Sequence, residues 1–308
     1  MFWKKKNKIN GDQRNNGESH EMAEPIKINV VVKTDLGNIR TNNEDTGSFY
    51  RIGDEQLLRE RGYLLIVADG MGGHQAGEVA SKMAVDIISE EYFKPIKESN
   101  KEKLLAAAFN TANKKIFEQA SANELQRGMG TTSTALVLVA NTIYFAHAGD
   151  SRAYLYKNKQ IIRLTEDHTY VQQLVNSGDI SSVEADTHPQ RNILTNAMGT
   201  KPTLRVDTGK CMVSFDENDR LLLCSDGLYD YLNDSELAQV LEMGALQDVA
   251  DFFISEAKKR GGKDNITVVL AERIEEKPTV VLKITRESDL LKMTRDAEIP
   301  TAINTTEL

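Results

Sequence analysis

Cysteine, histidine and long apolar runs are scarce in this chain, and each shortage excludes something. Two cysteines in 308 residues, Cys211 and Cys224, make neither a disulfide framework nor a zinc cluster. No window approaches the roughly 18 consecutive apolar residues that a membrane span needs. The basic start Lys4-Lys5-Lys6 is followed by a polar stretch, Asn7 to Glu21, without the apolar segment of a secretion signal. Positive charge is not in excess either. The 38 Lys and Arg against 46 Asp and Glu leave a net charge of −8, which argues against a nucleic-acid binder whose whole surface is basic. These absences describe a globular protein expected in the cytoplasm as a monomer, with 40% hydrophobic residues to fill a core.

The ends differ from the middle. Residues 1–26 are rich in Lys, Asn, Gln, Glu and Gly and have little to bury, so they read as a disordered N-terminal tail. After Glu275-Glu276-Lys277-Pro278 only a short apolar run, Thr279 to Ile284, precedes a Thr-rich finish, and 275–308 reads as a flexible C-terminal tail. The folded body is expected over residues 27–274.

Within that body, β-type runs alternate with helical periods. Tyr63–Ala68 is a buried strand by length and apolar content. Ala76, Val79, Ala80, Met83, Ala84, Ile87 and Ile88 form one apolar helix face that ends before Pro95. Leu105, Ala108, Phe109, Ala112 and Ile116 mark a second long helix. Thr134–Ala140, Thr142–Ala148 and Arg152–Tyr156 read as three consecutive strands, and their short connections imply antiparallel neighbours. Arg220–Ser225 and Ile266–Ala271 are further strands. Between them Leu246–Arg260 is an amphipathic helix stopped by Gly261-Gly262. The pattern predicts an α+β fold with helices packed outside antiparallel sheets.

Acidic residues recur beside these strands. Asp69 follows Leu64–Ala68 and precedes Gly70-Met71-Gly72-Gly73. Asp150 follows Tyr144–Gly149, Asp226 follows Leu221–Ser225, and Asp264 precedes Ile266–Leu270. Strand ends on a rigid sheet hold side chains in place, and glycines let a backbone carbonyl approach a ligand. Carboxylates without cysteine partners suit hard cations, Mg²⁺ or Mn²⁺ rather than Zn²⁺. Any single Asp-Gly, Asp226-Gly227 included, is more often a plain turn. The combination carries the argument.

Six segments occur in order: Asn38-Ile39-Arg40-Thr41-Asn42-Asn43-Glu44-Asp45, Val67-Ala68-Asp69-Gly70-Met71-Gly72-Gly73-His74, Gly130-Thr131-Thr132, Gly149-Asp150-Ser151-Arg152, Ser225-Asp226-Gly227-Leu228 and Gly262-Lys263-Asp264-Asn265-Ile266-Thr267. Together, over about residues 33–271, they resemble the motifs of the PPM/PP2C phosphatases, metal-dependent protein Ser/Thr phosphatases. The Asp-Gly-Met-Gly-Gly-His form resembles the bacterial members. The resemblance implies a four-layer sandwich of two antiparallel β-sheets flanked by helix pairs. It implies that Asp69 bridges two Mn²⁺ or Mg²⁺ ions, that the Gly70 carbonyl binds one of them, and that Asp226 and Asp264 complete the ligand set. Glu44 and Asp45 resemble the acidic pair that binds the metals directly or through water. Asp150 with Asp226 resembles the seat of a third, weaker ion, although Asp150 equally reads as the cap of a turn. A hydroxide between two cations would attack phosphorus in line, which accords with the lack of any Cys-x5-Arg signature.

Arg40 is the candidate phosphate clamp, since a planar guanidinium presents paired donors to phosphoryl oxygens. Thr131 and Thr132 are read as shaping the loop beside the metals. Met71 stands where eukaryotic-type members carry a histidine acid, and the acid is left unassigned; a lone His74 reads as structural. The irregular stretch Thr165–Thr200, with a short helix Tyr170–Asn176 stopped by Gly178, resembles the family's flap. The implied partners are phosphorylated proteins, among them a cognate Ser/Thr kinase and its substrates. Two rivals share the fold: a phosphatase dedicated to one phosphoserine on an anti-anti-sigma-type protein, and a phosphopeptide-binding module that no longer cleaves.

Overall fold

The computed structural model describes residues 25–72 and 76–274; His74, the Thr279–Ile284 run and both chain ends lie outside the described residues. In chain order the elements are β1 (Ile28–Asp35), β2 (Asp45–Tyr50), α1 (Glu55–Arg61), β3 (Tyr63–Met71), α2 (Ala76–Tyr92), α3 (Lys101–Ala122), β4 (Gly130–Thr131), β5 (Ser133–Val139), β6 (Thr142–Ala148), β7 (Arg152–Lys157) and β8 (Gln160–Arg163). They continue with α4 (Tyr170–Ser177), α5 (Ser182–Asp186), β9 (Asp207–Lys210), β10 (Arg220–Cys224), α6 (Asp226–Tyr229), α7 (Asp234–Leu241), α8 (Leu246–Arg260) and β11 (Ile266–Arg273).

The strands form two antiparallel sheets. One runs β1-β11-β10-β7-β8, the other β2-β3-β5-β6-β9 with β4 paired to the end of β3. The two-residue period of a strand explains the layering. Leu64, Ile66 and Ala68 of β3 pack with Ala80, Ala84 and Ile88 of α2 and with Leu105, Phe109 and Ile116 of α3. Leu65 and Val67, on the opposite face, meet Leu155, Leu223, Val269 and Ala271 of the other sheet. Beyond that sheet, Leu222, Val268 and Leu270 face Leu237 and Leu241 of α7 and Phe253 and Ala257 of α8. Four layers result, as the resemblance implies. Because central strands are covered on both faces, they read as continuous apolar runs rather than alternating ones.

One pairing differs from the sequence reading. Thr142–Ala148 and Arg152–Tyr156 are not neighbours: β6 lies between β5 and β9, and β7 lies between β10 and β8 in the other sheet. The turn between them is a crossover. Gly149 takes φ +116°, and a Cβ there would lie 2.5 Å from the Thr132 Cβ, so only glycine allows the chain to leave one sheet for the other at this point. A short connection looks the same in sequence whether it closes a hairpin or changes sheets.

Ile26 is buried, and its carbonyl accepts the Tyr63 hydroxyl at 2.8 Å. At the far end the Ile274 amide donates to the Lys27 carbonyl at 2.9 Å. Among the described residues no helix is long and apolar enough to cross a membrane.

Candidate active site

The register of β2 on β3 sets Asp45 directly opposite Asp69. Asp69 is fixed through its backbone: its N–H donates to Thr132 Oγ1 at 3.0 Å, and its carbonyl accepts the Thr132 amide and the Thr131 hydroxyl, both at 2.9 Å. Thr131 and Thr132 thus hold the backbone at the end of β3. Asp226 opens the one-turn helix α6 directly after β10. Asp264 precedes β11, and Asp150 lies in the crossover between the sheets. Asp45 and Asp150 are buried, whereas Glu44, Asp69, Asp226 and Asp264 are partly covered and Arg40 is exposed.

Residues not singled out from the sequence hold this arrangement. Ser225 donates to Asp45 Oδ2 at 2.7 Å and accepts the Thr267 amide at 3.0 Å, tying the two sheets together beneath the carboxylates. Asn265 accepts the Glu44 amide at 2.8 Å and donates to the carbonyls of Leu36 and Asn42 at 3.1 and 3.0 Å. It thereby pins the loop that carries Arg40 and Glu44. Both residues sit inside quoted motifs, Ser225-Asp226-Gly227 and Asp264-Asn265, where adjacency to an acid was the available signal. Thr132 also bonds the Ser151 hydroxyl at 2.6 Å, linking the Asp69 strand to the Asp150 turn.

Electrostatically the site is strained by like charge. The Asp69 carboxyl lies well above the ordinary carboxylate range, through burial first and then the fields of Asp45, Asp226, Asp150 and Asp264. Asp226 is likewise pushed well up by burial, then by Asp150 and Asp264. Burial raises Asp45 to about 6 against the opposing bonds from Ser225 and Thr267. Asp150 rises to about 7 through burial and its neighbour Asp167. Glu44 is raised by burial, with Arg40 opposing. Arg40 itself bonds Asp264 Oδ2 at 2.7 Å; burial works against its charge, and the Asp264 carboxylate more than restores it.

Do these residues fit cations? Among the described residues no three His, Cys, Asp or Glu side chains are gathered closely enough to enclose an ion, and Asp264 is turned to Arg40. One local observation nevertheless favours a cation. Asp226 Oδ1 is buried with no hydrogen-bond partner, a costly state for an acceptor unless something positive meets it. At Gly70 a Cβ would lie 2.1 Å from the Gly77 carbonyl oxygen and 2.6 Å from that of Glu44, so only glycine lets these backbones pack together beside Asp69. The donors are all oxygen, the set that Mg²⁺ and Mn²⁺ take. The residues fit.

The two-sheet, four-layer sandwich sets a row of acidic residues at its strand ends. Comparison with known proteins specifies the family. The protein phosphatase 2C family model matches residues 30–174. Serine/threonine phosphatase stp of Listeria monocytogenes is 40% identical over 250 residues, covering 80% of this chain and 96% of that protein. Among solved structures, Stp1 of Staphylococcus aureus superposes with a TM-score of 0.74 at 34% identity, covering 84% of this chain and 100% of the other. The catalytic domain of PstP in complex with two manganese ions superposes with a TM-score of 0.67 at 32% identity, covering 80% and 99%. The chain belongs to the protein phosphatase 2C family, and it is a serine/threonine phosphatase of the bacterial type.

Proposed function

We propose that this enzyme hydrolyses phosphoserine and phosphothreonine in proteins at the carboxylate cluster. The observation that carries the reading is the buried, unpartnered Asp226 Oδ1, beside acids whose fields raise its pKa. Asp69, Asp226, Asp264 and the Gly70 carbonyl would hold two Mn²⁺ or Mg²⁺ ions, with Glu44 and Asp45 beside them and Asp150 near a third. When bound, such a pair of ions supplies an attacking hydroxide near neutral pH. The chain's own residues do the rest. Ser225 orients the Asp45 carboxylate, and Asn265 fixes the backbone that presents Glu44 and Arg40. Arg40, exposed at the rim, exchanges its contact with Asp264 for the incoming phosphoryl oxygens, which its planar fork matches.

The segment Thr165–Thr200 is read as the flap. It carries α4 and α5, and its Arg191 pairs with Asp230 at 2.9 Å just beyond α6. Phosphorylated proteins are the substrates in this reading, with a Ser/Thr kinase and its targets as natural partners of a monomeric cytoplasmic enzyme. The test is hydrolysis of p-nitrophenyl phosphate and of a phosphothreonine peptide with Mn²⁺ and with EDTA. Metal-dependent turnover of both is expected. Binding of the peptide without turnover under any metal would instead favour the non-cleaving module, and a phosphoproteome comparison of deletion and wild-type cells would test the kinase partnership.

A further inference from the structure

We propose that His168 is a positioning residue that ties the 165–206 segment to the Asp150 turn, so that the two move as one. The inference rests on the reading of Asp150 as a metal ligand and deepens it. Three parts of the chain meet on this one ring. Gly149, next to Asp150, donates its amide to His168 Nδ1 at 3.1 Å. Asn196, near the exit of the segment, brings its side-chain nitrogen to the same Nδ1 at 2.8 Å. Asp207, the first residue of β9, lies with Oδ2 at 3.0 Å from Nε2. An amide N–H can only donate, so Nδ1 is the acceptor, and the proton is assigned to Nε2, where it points at a carboxylate.

The backbone repeats the connection. The His168 amide donates to the Gly149 carbonyl at 2.7 Å, and the His168 carbonyl accepts the Thr195 amide at 2.8 Å. Gly149 cannot yield on its other side, where Thr132 occupies the space a Cβ would need. Beyond Asp150, Arg152 pairs with Asp167 at 2.7 Å, and its guanidinium lies 3.5 Å over the Tyr229 ring. The Tyr229 hydroxyl in turn donates to the Asp150 carbonyl at 3.1 Å. Adjacent residues of the segment, Asp167 and His168, therefore hold Asp150 from both flanks. His168 is buried against His147, with ring centroids 4.8 Å apart. A displacement of the segment is passed to Asp150 through these straps rather than absorbed by a loose loop.

Two variants separate the two faces of the ring. In His168→Asn the amide oxygen takes the place of Nδ1, keeping an acceptor for Gly149 and losing the donor to Asp207. In His168→Gln the amide nitrogen reaches the Nε2 position and the Gly149 acceptor is lost. Amide hydrogen exchange at Gly149 is expected to stay near the wild-type rate in H168N and to quicken about fivefold in H168Q, the effect of one neutral hydrogen bond. Weak-site Mn²⁺ affinity, followed by titration of the full chain, is expected to fall several-fold in H168Q alone, with both variants still unfolding cooperatively. Equal exchange in the two variants overturns the proposal, and so does unchanged weak-site affinity in H168Q. Asp150→Ala isolates the underlying reading: weak Mn²⁺ binding that survives it removes Asp150 from the ligands, while the exchange difference between H168N and H168Q still measures positioning.

Discussion

Asp45 and Asp69 are paired directly across β2 and β3, two carboxylates at facing positions of one antiparallel ladder. Like charges so placed destabilise a sheet, and here Asp226, Asp150 and Asp264 add to the field at Asp69. The fold accepts this cost at one place and secures it there: the hydroxyls of Ser225 and Thr267 hold Asp45, and Thr131 and Thr132 hold the Asp69 backbone. The arrangement is one that a positive ion between the acids relieves.

A pH dependence of stability follows for the protein in chelator. Asp45 at about 6 and Asp150 at about 7 both lie above the ordinary aspartate value of 3.8 expected in the unfolded chain. A carboxyl whose pKa rises on folding holds its proton more tightly in the folded state. Its stabilising contribution is present at low pH and is lost as pH rises through the folded pKa. Calorimetry in EDTA should therefore show Tm rising as pH is lowered from about 8 to about 5.5. Mn²⁺ at the higher pH should recover much of the difference. A Tm that falls over this range would mean that other titrating groups outweigh the cluster.

Asp226→Asn keeps the shape of the side chain and removes its charge. Turnover with Mn²⁺ is expected to fall by about a hundredfold or more, because the metal-holding acid at the centre is lost. In EDTA the same variant should unfold at the wild-type temperature or above it, since one repelling charge has gone from beside Asp150 and Asp264. Activity and stability would move in opposite directions. Wild-type turnover would remove Asp226 from the site.

Arg40 is exposed and its pair with Asp264 is a surface contact, so Arg40→Ala should change stability by less than about 1 kcal/mol. A charge-assisted contact to a phosphoryl group is worth roughly 1.5–3 kcal/mol, and KM for a phosphopeptide should rise about tenfold or more. Arg40→Lys should recover little of that, because an ammonium lacks the planar fork. Kinetics of the three proteins on one phosphothreonine peptide check this, and equal KM values would make Arg40 an ordinary surface residue.

The central strands and long helices were legible because burial writes itself into sequence. Tyr63–Ala68 and Ile266–Ala271 are apolar without break, and the face from Ala76 to Ile88 has a clear helical period. What escaped was set by tertiary context. β2, Asp-Thr-Gly-Ser-Phe-Tyr, has only Phe49 and Tyr50 as large apolar side chains, and it is a strand because β3 offers it a ladder. The short helix α5 carries a capping box, with Ser181 and Glu184 bonded reciprocally, a short local signal surrounded by otherwise irregular sequence. The sheet change at Gly149 was invisible because length does not distinguish a crossover from a hairpin. The acids were found as motif positions, whereas Ser225, Asn265 and His168 act through hydrogen bonds between segments far apart in sequence, which no local pattern records.

The N-terminal boundary yields the last prediction. A chain of residues 27–274, the body expected from sequence, omits Ile26, which is buried among Tyr63, Leu65 and Leu138 and accepts the Tyr63 hydroxyl. Burying an Ile side chain is worth about 1.5–3 kcal/mol, and a Tyr hydroxyl left without its acceptor costs about 1–3 kcal/mol more where water cannot replace it. Residues 25–274 should accordingly match the full chain in turnover on p-nitrophenyl phosphate and in Tm. Residues 27–274 should keep their turnover at low temperature but unfold several degrees lower, since about 1 kcal/mol shifts Tm by about 2–4 °C at this size. Thermal unfolding of the two truncated chains side by side decides it. Equal midpoints would place Ile26 outside the cooperative body, and loss of turnover in both would show that residues before 25 or after 274 belong to it.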